Sequence, residues 1–498
     1  MPGKPGTRIW RWRALTLFGV NALIVIHVLH WWLTGDSLAR FVLDDAAHTL
    51  ERGVVNPGFV LFALALLVTL LFGRFFCGWA CHMAALQDAC GWLLRRIGIR
   101  PRQFNARLIG YAPLVLALYL FVWPLFKREL LLPLIRPSWP ALADWLGPVA
   151  PFEGWSASWR TSELWSGLPS IWVAIPFLLL SGFAMVYFLG TRGLCRYGCP
   201  YGGLFQQTAR FSPVAITVDS DRCDDCALCT AACTAGVRVH DEISTYGIVV
   251  NRDCMRTLDC VDVCPHDALA LKPGRPPAAR GPSDGIRHYD LAAGEEGLAA
   301  LVMLVTAVGT RGLYGQIPLL LAVTLGAIGA FLAVLGYRLA HRPGLRFAGR
   351  TLKASGQQTG AGMAWSLVIT AAMLLLAHSL TVRLALERAE MLDRRITVPM
   401  EIVLSGSAEF LPGAVRRDAQ DALFWYRQAD AWNHGGLGLA RWPHIPLRRA
   451  WLHLVRGEYD QADRLLQRAR TARPGDPALI AAMADSRRAR TAQQQMAH

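Results

Sequence analysis

Long apolar segments constrain this chain more than any other feature. A run of about 20 apolar residues is long enough to cross the hydrocarbon core of a bilayer. Hydrophobic residues make up 53% of the 498 positions and charged residues only 17%, a balance unusual for a soluble protein. The sequence therefore predicts a mainly α-helical, multi-span integral membrane protein. The expected spans are residues 14–33, 56–73, 108–126, 171–189, 297–313, 317–339 and 362–382.

Basic residues next to these spans predict the orientation. The net charge of +15 would also suit a nucleic acid, but arginines that flank apolar spans orient membrane proteins, so we expect no nucleic-acid partner. The loop 74–107 carries six arginines and one acidic residue, and the stretch 338–353 carries five basic residues and no acid. Both are expected on the inside. The prediction is an inner (cytoplasmic) membrane protein with every cysteine motif on the cytoplasmic side and the tail after Val382 outside.

Composition divides the chain into four expected regions. Residues 1–190 form a membrane domain of about four spans, 191–275 a soluble cysteine-rich insert, 276–383 a linker with about three spans, and 384–498 a soluble helical tail. The spans at 297–313 and 317–339 are expected to form a tight hairpin around Tyr314 and Gly315. The tail contains one match to the second half of a tetratricopeptide (TPR) repeat, and an ordinary helical hairpin would show the same pattern. The matching residues are Gly457, Tyr459, Ala462, Leu466, Ala469 and Pro474.

The strongest chemical signal is a run of four cysteines in the insert. Their spacing, Cys-x2-Cys-x2-Cys-x3-Cys, is that of bacterial [4Fe–4S] ferredoxins, in which the fourth cysteine ligates the other cluster. Zinc sites with four cysteines usually pair two separate Cys-x2-Cys knuckles instead. The spacing therefore predicts iron–sulfur ligation by Cys223, Cys226, Cys229 and Cys233.

A second, incomplete motif follows the first. It has Thr257 where a full ferredoxin motif would have its second cysteine. In two-cluster ferredoxins the fourth cysteine of each motif ligates the cluster of the other motif. This predicts a complete first cluster and a second cluster that lacks one thiolate. The open corner could be a missing iron ([3Fe–4S]), a water, an oxygen ligand such as Asp259, or a distant cysteine, and the second site could also be empty. The expected ligands are Cys223, Cys226, Cys229 and Cys264 for the first cluster, and Cys233, Cys254 and Cys260 for the second.

Two further cysteine pairs, Cys77 with Cys81 and Cys195 with Cys199, follow the second and fourth predicted spans. On a helix, residues four apart share one face, so each pair could point at one partner. The pairs could hold a metal, form a redox-active disulfide or contact a substrate, or they could be small buried residues at a helix end. Cys90 has no local partner and is expected to be structural.

Three histidines fall near the predicted outer ends of the first and last spans: His27, His30 and His378. Ionisable residues inside a membrane are candidates for function. Histidines on two spans could ligate a haem b or bind a quinol and take its protons. Interfacial histidines that are hydrogen-bonded and inert would give the same pattern.

The cysteine order resembles a known family. The segments FCGWACHMAALQD (76–88) and CRYGCPYGGLF (195–205), followed by the double cysteine motif, are similar to the membrane polyferredoxins of the NapH/NosR type. The resemblance covers roughly residues 10–275. It implies an inserted α+β ferredoxin-like domain with two clusters, held at the cysteines named above, and assigns the two pairs to the paired cysteines of the family. His82 and Thr234 depart from the family pattern, which often has proline at these positions.

These features predict a membrane-bound electron-transfer protein. It would pass electrons between a quinol or cytoplasmic donor and a respiratory or assembly partner, with the cofactor doing the electron chemistry. One alternative is a metallocofactor assembly protein that handles copper through the cysteine pairs. Another is a redox-sensing membrane protein that signals through the helical tail.

Overall fold

The computed structural model describes residues 9–39, 45–147, 149–162, 164, 170–282, 285–286, 288–405, 411–472 and 475–496. The chain is mostly helical, with a few short strands. It divides into two compact units: residues 1–304 with 323–362, and residues 305–322 with 363–498.

Six helices in the described part of the chain are long and apolar enough to cross a membrane. The helices at either end of this set bury little of their apolar surface within the protein, as expected for helices that face lipid. This confirms the prediction of a mainly helical, multi-span membrane protein. The six helices are Ile9–Thr34, Ile109–Ile135, Ile171–Leu189, Ala293–Thr310, Leu319–His341 and Gly360–Asp393.

The second predicted span is shorter than expected. It forms the helix Pro57–Phe72, which has 16 residues. Asn56 caps the start by accepting a hydrogen bond from the Phe59 amide (2.9 Å), and Gly73 ends the helix with a left-handed φ of 71°. At 1.5 Å per residue the helix is about 24 Å long, less than the roughly 30 Å of a hydrocarbon core. Its apolar composition is that of a membrane span, but the cap at Asn56 and the turn at Gly73 make the helix shorter than the hydrocarbon core.

Prolines shape two of the long membrane helices. Ile109–Ile135 and Ile171–Leu189 both contain wider π-helical turns, at Leu118–Val122, Lys127–Leu131 and Leu179–Ala184. A proline has no amide hydrogen and leaves a preceding carbonyl without its helical partner, which local rewinding can accommodate. Pro124 and Pro176 lie beside these turns.

The predicted hairpin between the fifth and sixth spans is present as a turn. The short helix Leu313–Gly315 separates Ala293–Thr310 from Leu319–His341, and Tyr314 (φ 56°) and Gly315 (φ 67°) both take left-handed conformations. Gly326 packs against the backbone of Met303, where a Cβ atom would be 3.3 Å from the Met303 side chain. Close backbone approach at glycine is typical of helix packing in membranes.

The remaining elements of the first unit are short. Its other helices are Asp45–Arg52, Phe75–Trp79, His82–Arg96, Pro140–Leu146, Gly193–Tyr197, Pro200–Thr208, Ala209–Phe211, Leu228–Ala232, Val239–Tyr246, Asp259–Asp262 and Pro277–Ala279. Ser37–Leu38 pairs antiparallel with Arg160–Thr161, and Val54–Val55 pairs parallel with Ser156–Ala157. Leu345–Phe347, Arg350–Ala354 and Gln357–Gln358 form a three-stranded antiparallel sheet.

A small α+β body encloses the ferredoxin-like cysteines. Strand Val214–Val218 pairs antiparallel with strand Leu269–Pro273, with Ile216 opposite Leu271. The two strands bracket the cysteine segment and its short helices. Buried apolar residues between the strands and helices, including Val237, Val239 and Ile243, form the core.

The second unit ends in a group of helices: Met400–Leu404, Gly413–Ala429, Trp432–His434, Ile445–Val455, Tyr459–Ala472 and Pro477–Met496. Four of the residues that match the TPR pattern, Tyr459, Ala462, Leu466 and Ala469, are buried in its core. Gly457 lies in the turn between the helices Ile445–Val455 and Tyr459–Ala472, with a φ of 77°. Pro474 lies outside the described residues. A TPR-like domain stays a prediction, because these features also occur in ordinary helical hairpins.

Candidate iron–sulfur centre

The two ferredoxin-like loops have the same backbone conformation. In the first, Asp225 and Ala227 take left-handed φ values of 54° and 56°; in the second, Arg256 and Leu258 take 52° and 63°. These residues lie at equivalent positions, two and four residues after the first cysteine of each motif. Left-handed residues other than glycine are uncommon and are held only where the surrounding structure demands them. The second loop therefore keeps the conformation of the first, although Thr257 has replaced one cysteine.

The equivalence continues beyond the loops. Each loop leads into a short helix, Leu228–Ala232 or Asp259–Asp262. Each helix is followed by another left-handed residue, Gly236 (φ 70°) or Asp267 (φ 50°), three residues after the fourth cysteine of its motif. Only Gly236 and, more weakly, the aspartates indicated these turns beforehand, because alanine, arginine and leucine rarely take left-handed conformations.

The structure brings the cysteines of the incomplete motif together with Cys233 from the first. Cys254 and Cys260 act electrostatically on each other and on Cys233. Burial, with the negative charge of Cys254 as the next cause, raises the pKa of Cys233 to about 12. A thiol in such a place becomes a thiolate only beside a compensating positive charge, which cluster iron would supply. The residues present fit the second cluster.

The first loop is the more exposed of the two. Asp224, Asp225 and Cys226 are exposed, Cys223 is half-buried and only Cys229 is buried. Cys264 is near enough to Cys226 for their charges to interact, and its sulfur accepts a hydrogen bond from the Ala268 amide (3.3 Å). This is the arrangement expected if Cys264 crosses over to the first cluster.

The incomplete corner of the second loop faces the first membrane cysteine pair. Thr257 is buried, and a Cβ atom placed on Gly78 would overlap the Met255 carbonyl oxygen and lie 3.5 Å from Thr257 Cγ2. Trp79 Nε1 donates a hydrogen bond to the Arg256 carbonyl oxygen (2.9 Å). Residue 78 has to be glycine for this close approach. The segment between Cys77 and Cys81 therefore packs directly on the second loop.

Asp259, considered as an oxygen ligand for the open corner, has other partners. Its carboxylate lies 3.5 Å from the Arg13 guanidinium and accepts a hydrogen bond from Thr234 Oγ1 (3.3 Å). Arg13 also donates to the Gly78 carbonyl oxygen (2.9 Å) and pairs with Asp88. One buried arginine of the first membrane helix thus connects the first cysteine pair to the second loop.

The second cysteine pair is also joined to the second loop. Arg196, between Cys195 and Cys199, forms a buried ion pair with Asp253 (3.1 Å). Gln206 Nε2 donates to the other oxygen of the same carboxylate (3.0 Å). A buried carboxylate needs such partners, because desolvation of an unpaired charge is costly. Asp253 immediately precedes Cys254, so this network fixes the start of the second loop.

The two cysteine pairs come together, but neither lies on one continuous helix as expected. Cys77 is inside the helix Phe75–Trp79, which ends before Cys81, and Cys81 takes an extended conformation at the start of His82–Arg96. Cys195 and Cys199 repeat this arrangement in Gly193–Tyr197 and at the start of Pro200–Thr208. The charges of the four thiols act on one another. The expectation of a shared helix face was wrong, but the thiols still converge.

The surroundings of the pairs are buried and electropositive. Cys77 and Cys195 are buried, and Cys81 and Cys199 are half-buried. Burial raises the pKa of Cys195 to about 12, while the Arg192 guanidinium lowers it. The Cys195 thiol donates a hydrogen bond to Gln87 Oε1 (3.3 Å), and Cys199 Sγ accepts one from the Gly202 amide (3.4 Å). All twelve cysteines fall within the described residues and none of them is in a disulfide.

The histidines and Cys90 lie elsewhere. His30 Nδ1 is 3.1 Å from Ser37 Oγ, and His27 Nδ1 is 3.5 Å from the same hydroxyl. His378 belongs to the second unit, on the helix Gly360–Asp393. Cys90 is buried and packs with Leu94 and Val186, as expected for a structural residue. Ligation of a haem by the three histidines stays a prediction.

Across the ranges that the structure describes, no group of three or more His, Cys, Asp or Glu side chains is placed to hold a single metal ion.

Comparison with known proteins supports the assignment of iron–sulfur sites. The sequence profile of Fer4_5, described as a 4Fe-4S binding domain, matches residues 57–100 and again residues 172–217. Each match contains one of the membrane cysteine pairs rather than the ferredoxin-like motifs. No solved structure matches the chain.

Several known proteins are similar to parts of the chain. Ferredoxin-type protein NapH of Haemophilus influenzae is 27% identical over 237 residues, covering 47% of this chain and 70% of that protein. Putative electron transport protein YccM of Escherichia coli is 22% identical over 299 residues, covering 53% and 78%. A ferredoxin of Methanothermococcus thermolithotrophicus is 40% identical over 62 residues, covering 12% of this chain and 98% of that protein.

The apolar helices, the cysteine loops and these likenesses define an integral membrane iron–sulfur protein with a role in electron transfer. Within that class, the chain is similar to the ferredoxin-type proteins NapH and MauN. The resemblance seen in the cysteine order is therefore confirmed.

Proposed function

We propose that this protein carries electrons between the membrane and a soluble or membrane-bound redox partner through two clusters in the 191–275 domain. The first cluster would be held by Cys223, Cys226, Cys229 and Cys264, and the second by Cys233, Cys254 and Cys260. The observation that carries this proposal is the pair of loops with one backbone conformation and opposite environments. A carrier needs one cluster near its donor and another near its acceptor.

The second cluster would stand on the membrane side of this path. Its loop is fixed to both membrane cysteine pairs through Gly78, Trp79 and Arg196. Electrons from a quinol would therefore enter near the second loop. We place the domain on the cytoplasmic face of the inner membrane, because the arginine-rich loop 74–107 is expected there and contacts the domain through Gly78 and Trp79.

The first cluster would exchange electrons with the partner. Around its loop, Asp224 and Asp225 are exposed, and Leu228 is 43% exposed. An acidic rim around an exposed apolar residue suits brief docking of a partner with a basic surface. The names of the relatives, a ferredoxin-type protein and a putative electron transport protein, agree with such a role.

The second cluster would have three protein thiolates. Thr257 offers no thiolate, and the Asp259 carboxylate is held by Arg13 and Thr234. We propose a [3Fe–4S] cluster, or a [4Fe–4S] cluster whose fourth iron has a ligand other than cysteine.

The test is reduction of the clusters by a quinol in anaerobic membranes. Membranes with the parent protein should develop the EPR signals of reduced clusters, and the double variant Cys229→Ala Cys260→Ala should lose the two ferredoxin-domain signals. Cys90→Ala is the matched control, since Cys90 is a buried cysteine with no ligand role. Absence of iron–sulfur signals from the parent protein would refute the proposal. A haem absorption band that disappears in His378→Ala would add a haem to the path.

A further inference from the structure

The two membrane cysteine pairs belong to a structural repeat. In each half an apolar helix, Pro57–Phe72 or Ile171–Leu189, is followed by a five-residue helix and then by a helix that begins directly after the second cysteine. An arginine precedes the first cysteine by three residues in both halves: Arg74 and Arg192. The two segments matched by the family profile, 57–100 and 172–217, coincide with these halves.

The two arginines reach across to the opposite half at equivalent positions. Arg192 donates hydrogen bonds to the Ala84 carbonyl oxygen (3.1 Å) and to Asp88 (2.9 Å). Ala84 lies three residues after Cys81, and the residue three after Cys199 is Gly202. A Cβ atom on Gly202 would be 3.3 Å from Arg74 Nη2. Each half therefore contacts the other through equivalent residues, as in an approximate twofold repeat. The four cysteines lie where the two halves meet.

Arg74 is a buried cation beside the first cysteine of each pair. Its side chain is 1% exposed, and among the described residues none of its three guanidinium nitrogens meets the geometric criteria for a hydrogen bond. Negative charge at Cys77, then at the Asp253 carboxylate and then at Cys195 favours its charged form, and Cys77 lies within reach of its side chain. Burial of a charge is unfavourable unless charges of opposite sign compensate it. Thiolates at Cys77 and Cys195 would provide such compensation, since Asp253 is already paired with Arg196.

We propose that Cys77, Cys81, Cys195 and Cys199 together ligate a third [4Fe–4S] cluster at the membrane edge. Four thiolates around a doubly positive cubane core give a complex with two negative charges, and Arg74 and Arg192 supply the opposite charge. Cys81 and Cys199 each begin a helix, whose amino-terminal dipole stabilises a thiolate. This inference rests on the proposed electron-transfer function.

The profile described as a 4Fe-4S binding domain matches both halves, and each half contributes two of the four cysteines. Each half would bind two corners of the cubane. The same arrangement places the cluster next to the second ferredoxin loop, because Gly78 lies between Cys77 and Cys81 and packs on Met255. The third cluster would connect the membrane with the second cluster.

The experiment compares iron and sulfide per chain, with EPR spin counts, in the full-length protein purified anaerobically. Cys81→Ala and Cys199→Ala should each remove about four irons, the content of one cubane. Both variants should lose the same cluster, so the double variant should lose no more iron than either single variant. Cys90→Ala should keep the parent iron content. Cys226→Ala, which changes the ferredoxin-like domain, should alter a different signal.

The ferredoxin signals also report on folding. If they persist in Cys81→Ala while about four irons are lost, the loss belongs to the pair site and not to a collapsed protein. If both pair variants are too unstable to purify, the number of clusters in the parent protein is the deciding measurement. Three clusters by Mössbauer and EPR quantification support the inference, and two overturn it.

Arg74→Gln should lower the occupancy of this cluster several-fold, and Arg74→Lys should restore most of it.

Several outcomes would overturn the inference. Unchanged iron in Cys81→Ala and Cys199→Ala would do so and leave the proposed function in place, provided Cys226→Ala still changes the iron content. Copper or zinc at the pair site, or a disulfide in its place, would also overturn it. A parent protein without iron would defeat both this inference and the proposed function.

Discussion

The loops 223–229 and 254–260 have the same backbone but opposite surroundings. Residues 224–226 of the first loop are exposed, and the equivalent residues 255–257 of the second are buried. The first loop carries two aspartates; the second carries Arg256, whose guanidinium reaches Cys254 Sγ (3.8 Å) and the Val214 carbonyl oxygen (3.2 Å). The cysteine spacing thus sets the loop conformation, while the intervening residues decide what each loop faces.

This difference predicts different redox behaviour. A hydrogen-bond donor at a cysteine sulfur stabilises the reduced, more negative state of a cluster, and neighbouring carboxylates destabilise it. The second cluster should therefore have the higher potential of the two. Four sets of substitutions test how far the comparison holds.

The largest effect is expected from removing equivalent buried ligands. Cys229→Ala and Cys260→Ala should each abolish one of the two ferredoxin clusters, because each removes a thiolate from a different site. The measurement is the EPR spectrum of the reduced protein, in which the two variants should lose different signals. Loss of the same signal in both variants would show that Cys229 and Cys260 do not ligate different clusters.

Exchanging the residues at the open corner should exchange the cluster types. Thr257→Cys supplies the missing thiolate and should raise the iron content by about one per chain, with loss of any oxidised [3Fe–4S] signal. Cys226→Thr makes the first loop resemble the second and should have the opposite effect. If Thr257→Cys leaves the iron content and the spectrum unchanged, the corner is already filled by another ligand.

Arg256→Gln should lower the potential of the second cluster. It removes a charged donor from Cys254 Sγ, and a charge-assisted hydrogen bond is worth about 1.5–3 kcal/mol. Only the difference in the strength of this bond between the oxidised and reduced cluster changes the potential, and 59 mV corresponds to about 1.4 kcal/mol for one electron, so a decrease of up to about 60 mV is expected. Redox titration followed by EPR measures it. The exposed Arg222→Gln beside the first loop is the matched control and should shift the second cluster much less.

The smallest effect is expected at the exposed rim. Asp224→Asn together with Asp225→Asn should raise the potential of the first cluster only slightly, because water and salt screen exposed charges. The same change should slow electron exchange with a basic partner at low ionic strength and have little effect at high salt. Stopped-flow kinetics at two salt concentrations separates these cases. An equal slowing at both would indicate a structural effect instead.

Much of this arrangement was predictable from local sequence patterns. Length and apolar composition predicted the membrane helices, and cysteine spacing predicted both ferredoxin loops, because each depends on residues close together in the chain. The end of Pro57–Phe72 was also signalled, by Asn56 and Gly73. The left-handed Ala227 and Arg256 were not, since the whole loop rather than the residue type imposes that conformation.

Contacts between distant segments could not be predicted in this way. The packing of Gly78 on Met255 joins parts of the chain that lie far apart in sequence, and membrane helices carry little periodic information about their neighbours. One signal was present in the sequence and was missed. Arg74 and Arg192 stand at the same distance before their cysteine pairs, which marks the repeat.

The separation of the two cysteine pairs has a consequence for biogenesis. All the cysteines proposed as cluster ligands in the ferredoxin-like domain lie within residues 223–264, so we expect its loops to receive their clusters as soon as this short stretch has folded. Cys81 and Cys195 are 114 positions apart, and the membrane helix Ile109–Ile135 lies between them in the chain. Contacts over such distances form late, because chain closure has to be completed first. We therefore expect the ferredoxin-like domain to receive its clusters first, whereas the four paired thiols come together only after the membrane helices have assembled.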